Sequence, residues 1–141
     1  MRRILLDTGP LVAYLDKRDP NHAWANNVIG AFAPPLYTCE SVLSEASYVL
    51  GGRNSKALRA FLRADIVHTE AIFETHRDLV LDLGDKYADQ EPDFADLCLF
   101  AMACQHEEHI VLTIDDADFS RFRTPQRRAL RLWTPTQRLR D

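Results

Sequence analysis

Cysteine and long apolar segments are both scarce in this sequence of 141 residues. The three cysteines are odd in number and form no C-x-x-C pair, which argues against a disulfide framework and against a zinc cluster. No apolar run approaches the roughly 20 residues that span a bilayer, and charged residues interrupt the first twenty positions. We therefore expect a single domain over residues 1–141, without signal peptide or membrane anchor, in a reducing cytoplasmic compartment.

Positive charge is scarce through most of the chain and concentrated at its end. The last 21 residues hold seven arginines and one acid, a net charge of +6, whereas residues 1–120 have a net charge of −10. The body would therefore repel a polyanion, unless the polyanion met the arginine-rich segment 121–141 or bound cations neutralised some of the acids. The apolar fraction of 46% is ordinary for a globular protein with one closed core.

Short apolar runs alternate with helical patterns along the chain. The predicted strands are residues 4–6, 36–39, 66–67, 109–113 and 130–133. The predicted helical segments are 11–15, 22–32, 41–50, a helix around 58–62, a long stretch over 71–87, and 94–104, with a turn at 7–10 and a loop at 89–92. This alternation predicts an α/β fold, a three-layer α/β/α sandwich with a central parallel sheet of about five strands.

The segment 94–104 reads FADLCLFAMAC, and Asp96 is its one residue that is not apolar. A helix that is apolar all round is an interior helix, and an ionised carboxylate there costs on the order of several kcal/mol unless it is paired or bound to a metal. Asp93 lies three residues earlier and hence on nearly the same face. The sequence thus places two carboxylates together where burial disfavours both.

Three further acids end or border buried elements. Asp7 follows the first predicted strand, and Asp115 follows the fourth. Glu45 lies between Val42 and Val49 of a helical apolar stripe, so it borders the buried face of that helix. Ligands of open parallel sheets bind beyond the carboxyl ends of the strands, so these acids and Asp96 can converge there.

Such a convergence would be electrostatically costly. Two unit charges about 5 Å apart, at an effective dielectric of about 20, repel by roughly 3 kcal/mol, and four carboxylates form six pairs. A domain that is stable by about 5 to 15 kcal/mol cannot tolerate this, so the site must take up protons or hard cations. Oxygen ligands favour Mg²⁺ or Mn²⁺, and a metal that activates water beside a phosphodiester makes a nuclease site.

Four motifs in this order resemble the PIN domain family. They are Asp7-Thr8 after the first strand, Glu45 within SVLSEASYVL, the DFAD of residues 93–96, and the TIDDADF of residues 113–119. The likeness runs from residue 4 to about residue 133. Within the family the sequence is most similar to VapC-like toxins of prokaryotic toxin–antitoxin pairs.

The resemblance implies a Mg²⁺- or Mn²⁺-dependent endoribonuclease that leaves 5′-phosphate and 3′-hydroxyl ends. The residues that match the family's catalytic acids are Asp7, Glu45, Asp96 and Asp115. Asp93 matches a position that is often acidic, and Asp118 is the alternative to Asp115, because family members place the fourth acid either directly after the strand or before the Phe. Thr8 and Thr113 match hydroxyl residues that would orient the carboxylates.

The same resemblance implies partners. These are an RNA substrate, a small antitoxin laid across the active-site groove, and a second copy of the chain in a homodimer, with no membrane involved. An antitoxin arginine inserted among the carboxylates would solve the same charge problem as a metal. The arginine-rich segment 121–141 has two interpretations that remain open, a solvated or partner-facing segment and a contact for RNA phosphates.

Alternatives compete with these interpretations. Asp7 and Asp115 could be helix caps, Asp93 could favour a helix N-terminus, and Glu45 could be a solvated helix residue. The His-Glu-Glu-His run at 106–109 lacks the spacing of a zinc motif, so we interpret it as structural. For the whole protein, the rival functions are a non-catalytic PIN-fold binding or scaffold protein and a PIN nuclease of RNA processing outside a toxin–antitoxin pair.

Two other families that cluster acids at strand ends fit poorly. A phosphorylated receiver-like domain resembles this acid pattern but needs a lysine late in the chain, and the three lysines here lie at positions 17, 56 and 86. A haloacid-dehalogenase-like phosphatase would show Asp-x-Asp after the first strand, where this chain has Asp-Thr-Gly at 7–9.

Overall fold

The computed structural model describes residues 2–136 of the chain, apart from the side chain of Asp116. The strands are β1 Arg3–Leu6, β2 Leu36–Cys39, β3 Val67–Glu70, β4 His109–Leu112 and β5 Leu132–Trp133. The helices are α1 Thr8–Leu15, α2 His22–Ala31, α3 Glu40–Leu50, α4 Ser55–Arg63, α5 Ile72–Thr75, α6 Arg77–Lys86, α7 Phe94–Cys104 and α8 Asp116–Ser120. A short 3-10 helix covers Ala88–Gln90.

The five strands form one parallel sheet in the order β3-β2-β1-β4-β5. β1 lies at the centre, where Leu6 is in register with Leu112 of β4. The residues that follow these two strands, Asp7 and Thr113, therefore emerge side by side at the same edge of the sheet. The predicted parallel sheet of about five strands is confirmed, and the order of the strands explains why this edge collects polar groups.

Both faces of the sheet are buried, as alternating side chains of the central strands show. Leu6 and Ile110 belong to a core cluster with residues of α1, α2, α3 and α4. Leu5 and Val111 belong to a second cluster with residues of α5, α6, α7 and α8. The three-layer arrangement is confirmed. None of the helices described between residues 2 and 136 is long and apolar enough to span a membrane.

The first helix begins earlier than the sequence predicts. Residues 7–10 are not a separate turn, because Thr8 is already helical and Asp7 caps the helix. Pro10 is tolerated there, since the first turn of a helix has no internal partner for the missing N–H. Asp7 is thereby held at the junction of a strand and a helix.

The prediction of one long helix over 71–87 is wrong. The chain forms α5 and α6 instead, separated at His76, whose φ of −136° and ψ of 41° are not helical. The Thr75 hydroxyl donates back to the Ala71 carbonyl at 3.1 Å and contacts His76 Nδ1 at 2.8 Å. Such local side-chain bonds compete with the helical ladder and can end it.

Smaller departures concern element boundaries. The third strand runs over Val67–Glu70 rather than 66–67, and the fifth covers two residues, Leu132–Trp133. The predicted loop at 89–92 contains the end of the 3-10 helix, and α8 was not predicted. None of these changes moves the acids away from the carboxyl edge of the sheet.

Candidate active site

A cleft of about 310 Å³ opens beyond the carboxyl ends of β1 and β4. Seven carboxylates line it: Asp7, Asp19, Glu45, Asp93, Asp96, Asp115 and Asp118. Among the described residues, no lysine or arginine lines the same cleft. All six of the acids named from the sequence therefore face one space, and that space concentrates negative charge without a basic side chain in its wall.

Asp7 is the most enclosed of these acids, with 9% of its surface exposed. Its Oδ1 accepts a hydrogen bond from the Thr8 amide at 2.8 Å, and its Oδ2 accepts one from the Thr113 hydroxyl at 2.7 Å. The pKa of Asp7 is raised to about 6. Burial is the main cause and the charges of Glu45 and Asp93 add to it, while the two hydrogen bonds lower the pKa. The capping role and the position in the cleft thus coexist in one side chain.

Asp96 lies in the first turn of α7 and faces the other acids. Its pKa is raised to about 8, first by burial and then by the charges of Asp7, Asp93, Asp118 and Glu45, in that order. Asp93 caps α7, since its Oδ1 accepts from the Asp96 amide at 2.8 Å. The predicted conflict at Asp96, a carboxylate among apolar neighbours and other acids, is present in the structure.

Asp115 and Asp118 both reach the cleft. The Asp115 carboxylate caps α8 by accepting from the Ala117 amide at 2.9 Å, and the Asp115 amide donates to the Thr113 hydroxyl at 3.3 Å. Burial, and then the nearby Asp115 carboxylate, raise the pKa of Asp118, while Arg121 lowers it. The two alternatives for the fourth acid are thus neighbours, and Thr113 links the first acid to this pair.

The donor chemistry of the cleft fits a hard cation. The polar side chains among its lining residues are the seven carboxylates and Thr8, whose hydroxyl is buried without a hydrogen-bond partner. Oxygen ligands of this kind suit Mg²⁺ and Mn²⁺. Within residues 2–136, no three acidic, histidine or cysteine side chains are already gathered into a ligand set. We call the seven acids that line the cleft the carboxylate ring.

Sequence reasoning missed Asp19, which also lines the cleft. It lies in the turn between α1 and α2, where its Oδ1 accepts from the Asn21 amide at 2.8 Å. The signal in the sequence was the Asp-Pro-Asn turn, which accounts for the aspartate without any site. Gly9 was missed as well, and a Cβ atom there would lie 3.0 Å from the Ile114 side chain, so α1 and the loop after β4 approach closely.

The arginine-rich segment divides between the two edges of the sheet. Arg121 lies near Asp118 at the cleft. Arg128 pairs with Glu107 at 2.8 Å, and the Arg131 amide donates to His109 Nε2, at the opposite edge where β4 begins. The other nitrogen of His109 donates to the His106 carbonyl at 2.6 Å. The arginines at 138 and 140 lie outside the described residues.

Comparisons with known proteins identify the family and agree with the fold. The chain is 27% identical over 127 residues to Ribonuclease VapC26 of Mycobacterium tuberculosis, which covers 85% of this chain and 92% of the relative. It also resembles the crystal structure of Mycobacterium tuberculosis VapC20, described as a toxin that cleaves the sarcin–ricin loop, with a TM-score of 0.72, 20% identity, and coverage of 81% of this chain and 91% of that one. Residues 4–124 match the model of the family described as "PIN domain", so the chain belongs to the PIN domain family.

Proposed function

We propose that this protein is a Mg²⁺- or Mn²⁺-dependent endoribonuclease that acts as the toxin of a toxin–antitoxin pair. The observation that carries the proposal is the ring of seven carboxylates around one cleft that has no basic side chain among its described lining residues. PIN ribonucleases are in general dependent on divalent metals, and the relatives named above are ribonucleases of the VapC type.

Each acid has a role that follows from its position. Asp7, Asp96 and Asp115 would hold the cation, with Asp93 and Asp118 completing its surroundings. A divalent cation held there would supply charge to offset the scissile phosphate and would lower the pKa of a water for in-line attack. Glu45 lines the cleft from α3, and we assign to it the acceptance of a proton from the attacking water.

The residues around the acids fix their orientation. The Thr113 hydroxyl holds one oxygen of Asp7 while the Thr8 amide holds the other, so the carboxylate cannot rotate. The unpartnered Thr8 hydroxyl is free to donate to a carboxylate, to water or to the substrate. Hydrogen bonds of this kind orient metal ligands and raise metal affinity.

A proton must leave Asp96 when the cation enters. Its raised pKa, about 8, means that the carboxyl keeps its proton near neutral pH while the cleft holds no cation. Asp96 would give up that proton on binding a cation, whose charge would offset the repulsion from Asp7 and Asp93. Cation binding at this site therefore releases protons and favours higher pH.

The proposed partners are an RNA, a small antitoxin and a second copy of the chain, in the cytoplasm. The antitoxin would cover the cleft, and a guanidinium would pair with the carboxylates as a cation does. Purification of the protein from its native cells tests this part, because we expect a small copurifying protein that suppresses RNA cleavage.

The activity itself is tested with purified protein and labelled RNA. We expect cleavage in Mg²⁺ or Mn²⁺, none in EDTA, and products with 5′-phosphate ends. Asp7→Asn and Asp96→Asn should lose cleavage while remaining folded, and Asp82→Asn, on the exposed side of α6, is the matched control. Cleavage that persists in EDTA, or in both cleft variants, contradicts metal-dependent catalysis by these acids. Absence of cleavage by the wild-type protein in Mg²⁺ and in Mn²⁺ would favour a non-catalytic PIN-fold protein.

A further inference from the structure

A second concavity, which we call the aromatic pocket, lies beside the acidic cleft. It has a volume of about 290 Å³, and its wall includes Ser41, Phe73 and Phe94. Two elements border both spaces. At the start of α7, Asp93 lines the cleft and Phe94 lines the pocket. On α3, Glu45 lines the cleft and Ser41 lines the pocket. The two spaces therefore meet the same two elements, α3 and the start of α7.

The pocket offers an aromatic surface to solvent. Phe94 is 50% exposed, although it begins a helix that is otherwise largely buried. Its ring meets Phe73 edge to face at a centroid distance of 5.3 Å, and the Arg77 guanidinium lies 4.4 Å from the Phe73 centroid. Exposed aromatic rings of this kind stack on unpaired bases of single-stranded RNA, whereas a paired helix hides its bases.

Carboxylates surround this aromatic surface. The acidic side chains in the wall are Glu40, Glu70 and Glu74, and no basic side chain of the described chain lines the pocket. Glu70 bonds to Arg3 and Glu74 lies 3.7 Å from Arg77, which leaves Glu40 without an ionic partner among the ion pairs of the described residues. The Glu40 carboxylate is therefore available to accept hydrogen bonds from a neutral ring.

The hydrogen-bond pattern of the wall selects among the four RNA bases. A carboxylate accepts hydrogen bonds and, when ionised, donates none. Guanine is the base that presents two adjacent donors, N1–H and the 2-amino group, on its Watson–Crick edge. Adenine, cytosine and uracil place an acceptor beside each donor on that edge, so a carboxylate would face repulsion there.

We propose that the aromatic pocket holds an unpaired guanine of the RNA, next to the bond that is cut in the acidic cleft. This inference rests on the proposed function and specifies which RNA base is bound beside the cleavage site. The exposed ring of Phe94, which Phe73 supports edge to face, supplies the stacking surface, and we assign to Glu40 the role of acceptor for the Watson–Crick edge. The phosphate of the same strand then lies on the cleft side of α7, where a cation offsets its charge.

The pocket is tested separately from cleavage by titrating the metal-free protein with guanosine, a nucleoside without phosphate. We expect NMR shifts at the amides of Ser41, Phe73 and Phe94, and smaller or no shifts with adenosine, cytidine or uridine. Glu40→Gln should abolish the preference for guanosine. Equal responses to all four nucleosides, or responses confined to the acidic cleft, would overturn the inference.

The second test uses a randomised single-stranded RNA cut in Mg²⁺, with the product ends sequenced. We expect guanine to be enriched at one fixed position relative to the cut. Phe94→Ala should reduce this enrichment and lower kcat/KM about tenfold or more, as loss of one stacked base does. Phe94→Trp should restore both, and Leu81→Ala, which removes an equally exposed apolar side chain on α6, should change neither.

The outcomes separate this inference from the proposed function. If the wild-type protein cuts no RNA, the proposed function fails, and the guanosine titration still reports on the pocket. If the protein cuts RNA and Phe94→Ala keeps the wild-type base preference, the inference alone is wrong. If Phe94→Ala instead weakens a copurifying antitoxin and leaves the base preference intact, the pocket is a protein contact and the inference is likewise overturned.

Discussion

Thr113 is the residue that couples the first acid of the cleft to the last. It is fully buried, donates to Asp7 Oδ2 at 2.7 Å, and accepts from the Asp115 amide at 3.3 Å. Because the hydroxyl does both, a side chain of the same shape without oxygen would free Asp7 to rotate and loosen the chain at Asp115. The hydroxyl therefore matters for metal affinity more than for packing.

We predict that Thr113→Val lowers Mg²⁺ affinity about 10- to 100-fold, the range known for lost hydrogen bonds to metal ligands. Thr113→Ser keeps the hydroxyl and should retain most of the affinity. Calorimetric titration with Mg²⁺ measures both variants, and circular dichroism checks that both are folded. Equal affinities for the two variants would show that the hydroxyl does not orient Asp7.

Asp96 gives the metal-free protein a pH-dependent weakness. Its pKa is raised from 3.8 to about 8, chiefly by burial, so the folded state keeps a proton that the unfolded state has lost. Below about pH 4, Asp96 is protonated in both states and its ionisation does not change the free energy of unfolding. As the pH rises towards 8 the free energy of unfolding falls, and above about pH 8 it falls no further on account of Asp96.

We predict that Asp96→Asn stabilises the metal-free protein, by about 1 to 2 kcal/mol at pH 8, since solvent screens a carboxyl that remains part-exposed. The difference should vanish near pH 4. Thermal unfolding in EDTA at a series of pH values measures it, with the exposed Asp82→Asn as control. A gain that is the same at pH 4 and pH 8 would contradict the electrostatic origin.

At the scale of elements, α7 combines a buried body with a capped, acidic beginning. Asp93 accepts from the Asp96 amide at 2.8 Å, so its carboxylate stabilises the helix while its charge destabilises the cleft. Asp93→Asn removes the charge and keeps a capping oxygen, and Asp93→Ala removes both. We predict that the Ala variant is less stable than the Asn variant by about 1 kcal/mol, measured by urea unfolding in EDTA. Equal midpoints would show that the cap contributes nothing.

The same helix shows why some elements were predictable. The sequence predicts α7, Phe94–Cys104, with its observed limits, because an apolar run of this length is typical of a buried helix. The break between α5 and α6 was not predictable, because it depends on whether the Thr75 hydroxyl bonds to its own backbone or to solvent. The spacing of apolar residues predicts which positions are buried. It does not predict whether a side chain competes for the hydrogen bonds of the helix backbone.

The sequence predicts the position of some acids of the cleft and not of others. Asp7 and Asp115 could be placed together from the sequence, because strand ends of a parallel sheet share an edge. Asp19 could not, since its approach depends on how α1 and α2 pack, and its place in a turn already explained its residue type. The aromatic pocket was missed because Phe73 and Phe94 look like ordinary core residues in sequence.

At the scale of the whole molecule, the modest net charge of −4 conceals a strong internal contrast. Acids gather at the carboxyl edge of the sheet, while Arg128 and Arg131 lie at the opposite edge. RNA approaching the cleft therefore meets negative charge that a cation must offset. General ionic screening and a bound divalent cation would both relieve this repulsion, and they differ in how they depend on concentration.

We predict that Mg²⁺ at about 100 times its dissociation constant stabilises the protein by about 2.7 kcal/mol, raising Tm by about 5 to 10 °C for a domain of this size. NaCl at equal ionic strength should give a smaller rise, because it screens the acids without being held by them. Asp7→Asn should reduce the Mg²⁺ effect to that of NaCl, since it removes the most enclosed ligand. If the two salts stabilise the wild-type protein equally, the carboxylate ring binds no specific cation, and its charge is relieved by the ionic atmosphere alone.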